Sequence, residues 1–299
     1  MSKKVLAIYY TQSGQMGDIM CNFTAPLIAA GADVDVISVK PSVDYSFPWT
    51  GSRFFSVMPD CVLSVPVELQ PFELKYEKYD LVILGYQPWF LSPSIPSNSI
   101  IRHPKFRAVI KDTPIVTLSA CRNMWLNAFD RIMKMLDEAG AKHVGNVALV
   151  DRHPNFVSFI TIFYWMLSGK KERYLNIFPK PGVSAEDISN VLAYGSILAA
   201  HLQSENWDGL QRELVNSGAV NIKYPLMVIE GKARIIFAVW AKIIAKRKNK
   251  MPWISAFKYY LFIALFLGAP ILLTLDTIFL RPFTQKRIRA KKLHYLLLN

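Results

Sequence analysis

"YYTQSGQMGD", Tyr9 to Asp18, stands directly behind the apolar run Val5 to Tyr10. A buried strand that ends in hydroxyls, amides and glycines is not closing an ordinary turn. Short polar side chains and a glycine at a strand-to-helix junction let several backbone N–H groups converge where the helix end adds partial positive charge. The loop Thr11, Gln12, Ser13, Gly14, Gln15, Met16 has no lysine of the kind that serves a magnesium triphosphate, and it lacks G-x-G-x-x-G spacing. What it suits is one phosphate group, held by hydrogen bonds and a helix N-terminus. A polar turn without a ligand is the plain alternative.

Working outward, short apolar runs alternate with helical patterns. Met16 to Ala30 fits a helix stopped by Gly31, and Ala32 to Lys40 alternates as a second strand. Pro41 to Tyr79, rich in proline, serine and aromatics, predicts a long irregular connection with a short helix around Thr50 to Val57. Leu81 to Leu84 and Ile115 to Leu118 are continuous apolar strands, a helix follows near Met124, and Lys142 to Val150 gives a fifth strand. Strands recurring between helices predict a parallel sheet covered on both faces. Ligands of such sheets sit beyond the carboxyl ends of the strands. Three loops fall there: Tyr10 to Met16, Tyr86 to Pro96 and Ser119 to Trp125.

The net charge of +13 over 299 residues is confined to one end. Residues 223–299 hold 15 Lys or Arg against Glu230 and Asp276, while the first 222 residues balance at 20 of each sign. This basic excess alternates with long apolar runs, which points to an anionic membrane surface and away from nucleic acid. Cys21, Cys61 and Cys121 are scattered and show no metal spacing, as expected of reduced thiols in the cytoplasm. Lys3 and Lys4 precede an apolar run too short for a secretory leader.

Asn155 to Leu167 carries no charge and is too short to cross a bilayer, so it reads as a buried helix, a lid or a surface-lying segment. Ser184 then caps an amphipathic helix that closes the sheet, which makes residues 152–183 an insertion in a domain spanning 1–205. Residues 206–299 form a basic, hydrophobic, membrane-associated region. Within it, Tyr259 to Leu280 runs 22 residues without Lys or Arg, with Pro270 near its centre and basic clusters, Lys246 to Lys250 and Lys286 to Lys292, on both flanks. Positive charge prefers the cytoplasmic side. A re-entrant hairpin kinked at Pro270, with both ends at the cytoplasmic face of the inner membrane, satisfies both clusters.

Thr11, Ser13, Gly14 and Met16 match the phosphate loop of flavodoxin-like proteins, roughly T-x-[ST]-G-x-[TM], which "YYTQSGQMGD" resembles. "DLVILGYQPWFLSPSIP", Asp80 to Pro96, is similar to the flavodoxin and quinone-reductase loop in which Gly85, Pro88 and Trp89 border the isoalloxazine ring, with Phe90 beside them. The resemblance implies a flavodoxin-like, doubly wound five-stranded parallel sheet and an FMN cofactor. It also implies that Ser119, Ala120, Cys121, Arg122 and Asn123 close over the ring's polar edge. Cys121 lacks a base pattern for a nucleophile, and no metal site is expected. The acidic docking surface of an electron carrier is missing, so an enzyme is expected and not a shuttle.

Taken whole, the chain resembles the flavoprotein family of dialkylresorcinol biosynthesis, found in bacterial resorcinol, flexirubin and aryl-polyene clusters and often labelled a condensing enzyme. That resemblance implies aromatisation of a dialkylcyclohexane-1,3-dione, a lipophilic substrate drawn from the inner leaflet, and a ketosynthase of the same pathway as partner. Tyr86 and His153 are the candidates for the base. Two other readings stay open: a membrane-associated FMN-dependent NAD(P)H:quinone reductase, and a non-catalytic flavodoxin-like scaffold.

Overall fold

The computed structural model describes residues 2–298. From the N-terminus run β1 (Lys4–Tyr9), α1 (Gln15–Ala29) and β2 (Asp33–Ser38), then the short helices α2 (Gly51–Ser56) and α3 (Met58–Val62) inside the long connection. β3 (Leu81–Tyr86) leads into a tiny antiparallel hairpin, β4 (Pro88–Trp89) and β5 (Ser92–Pro93). Helices α4 (Ile95–Arg102) and α5 (Pro104–Ile110) follow, then β6 (Pro114–Cys121), α6 (Leu126–Asp137) and β7 (Lys142–Val150). The insertion carries α7 (Asn155–Ser168), and α8 (Ala185–Ser204), α9 (Leu210–Asn216) and α10 (Tyr224–Ala245) come next.

The five long strands pair in the order β2-β1-β3-β6-β7, all parallel. Strand order reverses between β1 and β3, which is the flavodoxin-like doubly wound arrangement with its crevice at their carboxyl ends. Every residue of β3 is buried, as a Leu-Val-Ile-Leu run sandwiched between two helical layers requires. α1 and α8 pack so closely that a Cβ on Gly195 would stand 2.3 Å from the Phe23 carbonyl oxygen. Ser184 caps α8 as expected, accepting from the Asp187 amide at 3.0 Å.

The fold departs from the sequence reading at four places. Two helices, α4 and α5, lie in a stretch to which no helix was assigned, because buried serines and an asparagine stand on α4 where the helical pattern calls for apolar residues. Leu210 and Leu214 of α9, with Ala219 and Val220, share the sheet's core, and Val220 bridges to Ala148 beside β7. The polypeptide therefore stays with the sheet to about Ile222, not to 205. In the tail, α11 (Met251–Ile263), a π turn (Ala264–Gly268), α12 (Ala269–Leu275), a second π turn (Asp276–Leu280) and α13 (Arg281–Leu297) form one 47-residue helical run. Pro270 does not reverse it, because the widened π turn just upstream accommodates the proline's missing N–H and its ring. The reversal comes earlier, at Lys246–Lys250: α10 and the following run are antiparallel, with Phe237 against Phe257 and the Tyr224 hydroxyl donating to Asp276.

Candidate functional site

β1 delivers its last residues to the sheet's crevice, and Gly14 at φ +86° starts α1 in a left-handed conformation that side-chain-bearing residues disfavour. The first helical amides, those of Gly17 and Asp18, both donate to the Gly14 carbonyl. Among the described residues the amides of Ser13, Gly14, Gln15 and Met16 donate to no protein group. The Thr11 hydroxyl is buried and also without a partner. A buried hydroxyl and several amides left unpaired at a helix N-terminus are what a bound phosphate would satisfy. The insertion adds a cation that sequence reasoning missed: Lys171 donates to the Val183 carbonyl at 3.2 Å, the same oxygen that Gln15 Nε2 reaches at 3.2 Å. Burial lowers the pKa of that lysine.

Beyond the loop opens a cavity of about 320 Å³. Gln12, Ser13, Gln15 and Met16 line one end, and Pro88, Trp89 and Phe90 form a wall. Trp89 is fixed edge-to-face against Tyr10 at 6.0 Å, Tyr45 at 5.4 Å and Trp49 at 5.4 Å. Phe90 (φ 48°) and Leu91 (φ 59°) both sit in the left-handed region at the hairpin tip. Two consecutive non-glycine residues held there are strained, and such strain concentrates at binding sites.

Ala120, Cys121 and Arg122 reach the cavity from the end of β6. Arg122 Nη1 donates to the backbone oxygen of Asn155 at 3.1 Å and to its Oδ1 at 2.8 Å. No carboxylate pairs with it among the described residues, and burial pulls its pKa down to about 10. A half-buried cation without a counter-ion, facing a cavity, favours an anionic or strongly polar occupant. The Cys121 thiol is pushed up by burial, so it is not a poised nucleophile.

The far end is apolar. Phe159 and Phe163 of α7, Phe237 of α10, and Leu265 and Ala269 of the tail close it. Sequence reasoning missed these residues as cavity walls, and it also missed Phe47, Trp49 and Phe54 from the long connection. The available signal was that charge-free aromatic runs recur in three separate segments, which is more apolar surface than one sheet can cover.

Four expected site residues stand elsewhere. Tyr86 is wholly buried in the core, off the cavity, and burial lifts its hydroxyl well above the usual range. Ser119 is buried within β6 and does not reach the cavity either. Asn123 donates to Asn155 Oδ1 at 3.0 Å and faces, with His153, a second cavity of about 460 Å³ at the β7 side. Asn155 accepts from both Arg122 and Asn123 between the two, and His153 lines only the second. Thr11 and Gly14 belong to the loop but are not among the residues lining the cavity.

No protein-family model matches the chain, and no curated protein matches it. Solved structures do. A flavoprotein in complex with FMN from Lactobacillus acidophilus is 17% identical over 49% of this chain and 93% of its own, at a TM-score of 0.41. Flavodoxin 1 from Bacillus cereus is 15% identical over 68% and 98%, at 0.34. A flavodoxin from the domain Archaea is 12% identical over 67% and 99%, at 0.37.

Proposed function

We propose that the chain is an FMN-dependent oxidoreductase that aromatises a dialkylcyclohexane-1,3-dione to a dialkylresorcinol at the cytoplasmic face of a membrane. The observation that carries this reading is the cavity itself: unpaired amides and a buried hydroxyl at one end, an apolar aromatic enclosure at the other, and one unpaired guanidinium between. Thr11 and the amides of Ser13 to Met16 would hold the phosphate, Trp89 would border the ring, and Ala120 to Arg122 would face its polar edge. Bound FMN supplies the acceptance of a hydride.

The reaction removes one hydride and one proton from the ring, and the dione becomes the aromatic diol with no other atoms exchanged. A 1,3-dione is acidic in its own right, so the protein's task is to hold the dionate more than to force its formation. Arg122 fits that task, since it is cationic at neutral pH, is oriented by two bonds to Asn155 and lacks a counter-ion. The aromatic walls exclude water and take the alkyl chains, as apolar pockets with a few placed polar groups do. The substrate class rests on the enclosure and on the family resemblance.

The test is the visible spectrum of detergent-purified protein, followed by anaerobic addition of a dialkylcyclohexane-1,3-dione. A flavin band that bleaches as resorcinol forms supports the reading. A bound flavin that bleaches with NADPH but not with the dione replaces it with the quinone reductase, and protein that takes up no FMN leaves the scaffold.

A further inference from the structure

The tail run presents one apolar stripe to the outside. Ile263 (60% exposed), Leu267 (62%), Ile271 (60%) and Leu275 (49%) follow each other at four-residue spacing along it. The opposite face is occupied: Leu265 and Ala269 are buried at the cavity, and Asp276 is buried against Tyr224. Both ends of the run are also attached to the same body. Phe257 packs on Phe237 and on Phe90 of the hairpin, and Tyr295 packs on Trp125 just ahead of α6 and on Phe129 within it. A helix held to one domain at its two ends and its middle cannot leave that domain to cross a bilayer, although its length and composition would permit it.

Between α7 and this run lies an aromatic seam. Phe156 stacks on Phe266 at 5.5 Å, Phe159 meets Phe266 and Phe262 at 5.9 Å each, and Phe163 meets Phe262 at 6.1 Å. The outermost pair is open to the surface, Phe156 at 39% and Phe266 at 42%, whereas Phe159 and Phe163 line the cavity. The seam therefore runs from the apolar outer face to the interior. On the tail side it is built on the π turn Ala264–Gly268, a helical irregularity that occurs mostly where a function needs it. Exposed basic residues, Lys246 to Lys250 before the stripe and Lys286 to Lys292 after it, bracket the face with no acid in either cluster.

We infer that the stripe seats in a single leaflet of an anionic lipid surface and that the Phe156–Phe266 seam is a lipid-facing entrance to the cavity. This rests on the proposed lipophilic substrate but not on a bound flavin. An amphipathic helix with basic ends lies in the interface with its apolar face about 5–10 Å deep. Substrate dissolved in that leaflet then enters sideways, chain and ring together, without crossing water. The rings separate by side-chain rotation and close again behind it.

Two measurements on the full chain in phosphatidylcholine–phosphatidylglycerol vesicles test this. In the first, nitroxides are placed singly at Ile263→Cys, Leu267→Cys, Ile271→Cys and Leu275→Cys, with Cys21→Ser/Cys121→Ser as background, and their depth is read by oxygen and nickel-chelate relaxation. Equal shallow depth at all four sites is expected, and a profile that peaks at the bilayer centre overturns the seat. In the second, a diazirine-bearing alkylresorcinol is flashed at short delays after addition to the vesicles. Adducts are expected at residues 156–166 and 262–269, with cavity adducts forming several-fold faster in the Phe156→Ala/Phe266→Ala protein. Adducts confined to other segments, or an unchanged rate in a variant whose depth profile is intact, overturn the entrance. Neither readout needs FMN, so a failed flavin spectrum and a failed entrance are separate results.

Discussion

Half-buried Arg122 and buried Glu230 are charges whose surroundings predict measurable behaviour. Arg122 lines the cavity with Asn155 oxygens as its hydrogen-bond acceptors and the Phe159 ring 5.8 Å from its guanidinium. Replacing it by Met removes one positive charge from beside the proposed ring site. A neighbouring buried charge is worth on the order of 1–3 kcal/mol, so the two-electron potential of bound FMN should fall by about 20–60 mV. Equilibration with reference dyes measures it, and an unchanged potential in a flavin-loaded variant would remove Arg122 from the ring's edge. Glu230 is 2% exposed and accepts the Asn127 amide at 2.6 Å, at the N-terminal end of α6. Burial lifts its pKa from 4.5 to about 7. A carboxyl raised in the folded state binds its proton there while the unfolded chain has already released it. Its stabilising contribution is thus full below about pH 4.5 and is lost as pH rises to about 7. Glu230→Gln keeps an acceptor for the amide and removes the titration, so its stability should decline less than the parent's between pH 4.5 and 7, by about 2–3 kcal/mol. Denaturant melts at several pH values give both slopes, and parallel curves would refute the assignment.

Among the elements, the contact of α1 with α8 is the tightest point of the sandwich. Gly195→Ala would place a methyl 2.3 Å from a backbone carbonyl oxygen that has no rotamer by which to retreat. Separating the two helices costs about 1–3 kcal/mol by ordinary overpacking, which a shifted urea midpoint would report. The sheet itself was legible because its strands are short apolar runs bounded by turn residues, and β3 admits no other reading. The β1–α1 loop with its unpaired amides was legible because a local motif carries it. α4 was not, since Ser97, Asn98 and Ser99 are buried on it and two of them find partners in a distant segment, Asn98 donating to the Ser64 carbonyl and Ser99 accepting the Val67 amide. The placement of the two base candidates was not legible for a related reason: Tyr86 ends β3, where which face its side chain takes depends on pairing with β6, and His153 lies past β7 in a loop whose path depends on the insertion. The walls contributed by α7 and the tail were the least legible, because an apolar helix looks the same whether it buries itself, lines a cavity or meets lipid.

For the whole molecule, the division of charge becomes a division of labour. The sheet domain through residue 222 is electrically balanced, and the excess of +13 sits on the segments that also expose the apolar stripe. Apolar contact with acyl chains is insensitive to salt, whereas attraction to an anionic leaflet is screened within about 8 Å at physiological ionic strength. The two contributions can therefore be separated in one experiment. Changing Lys246, Arg247, Lys248 and Lys250 together to Gln leaves the stripe and the cavity walls as they are. At about 1 kcal/mol per basic residue near an anionic surface, the partition coefficient onto phosphatidylglycerol-containing vesicles should fall by roughly 10²–10³-fold. Binding to pure phosphatidylcholine should change little, and the salt dependence of the variant should be shallower than the parent's. Vesicle flotation at low and high salt measures all three quantities. Equal losses on both lipids would mean that the cluster holds the α10–α11 turn together and does not serve as a membrane contact.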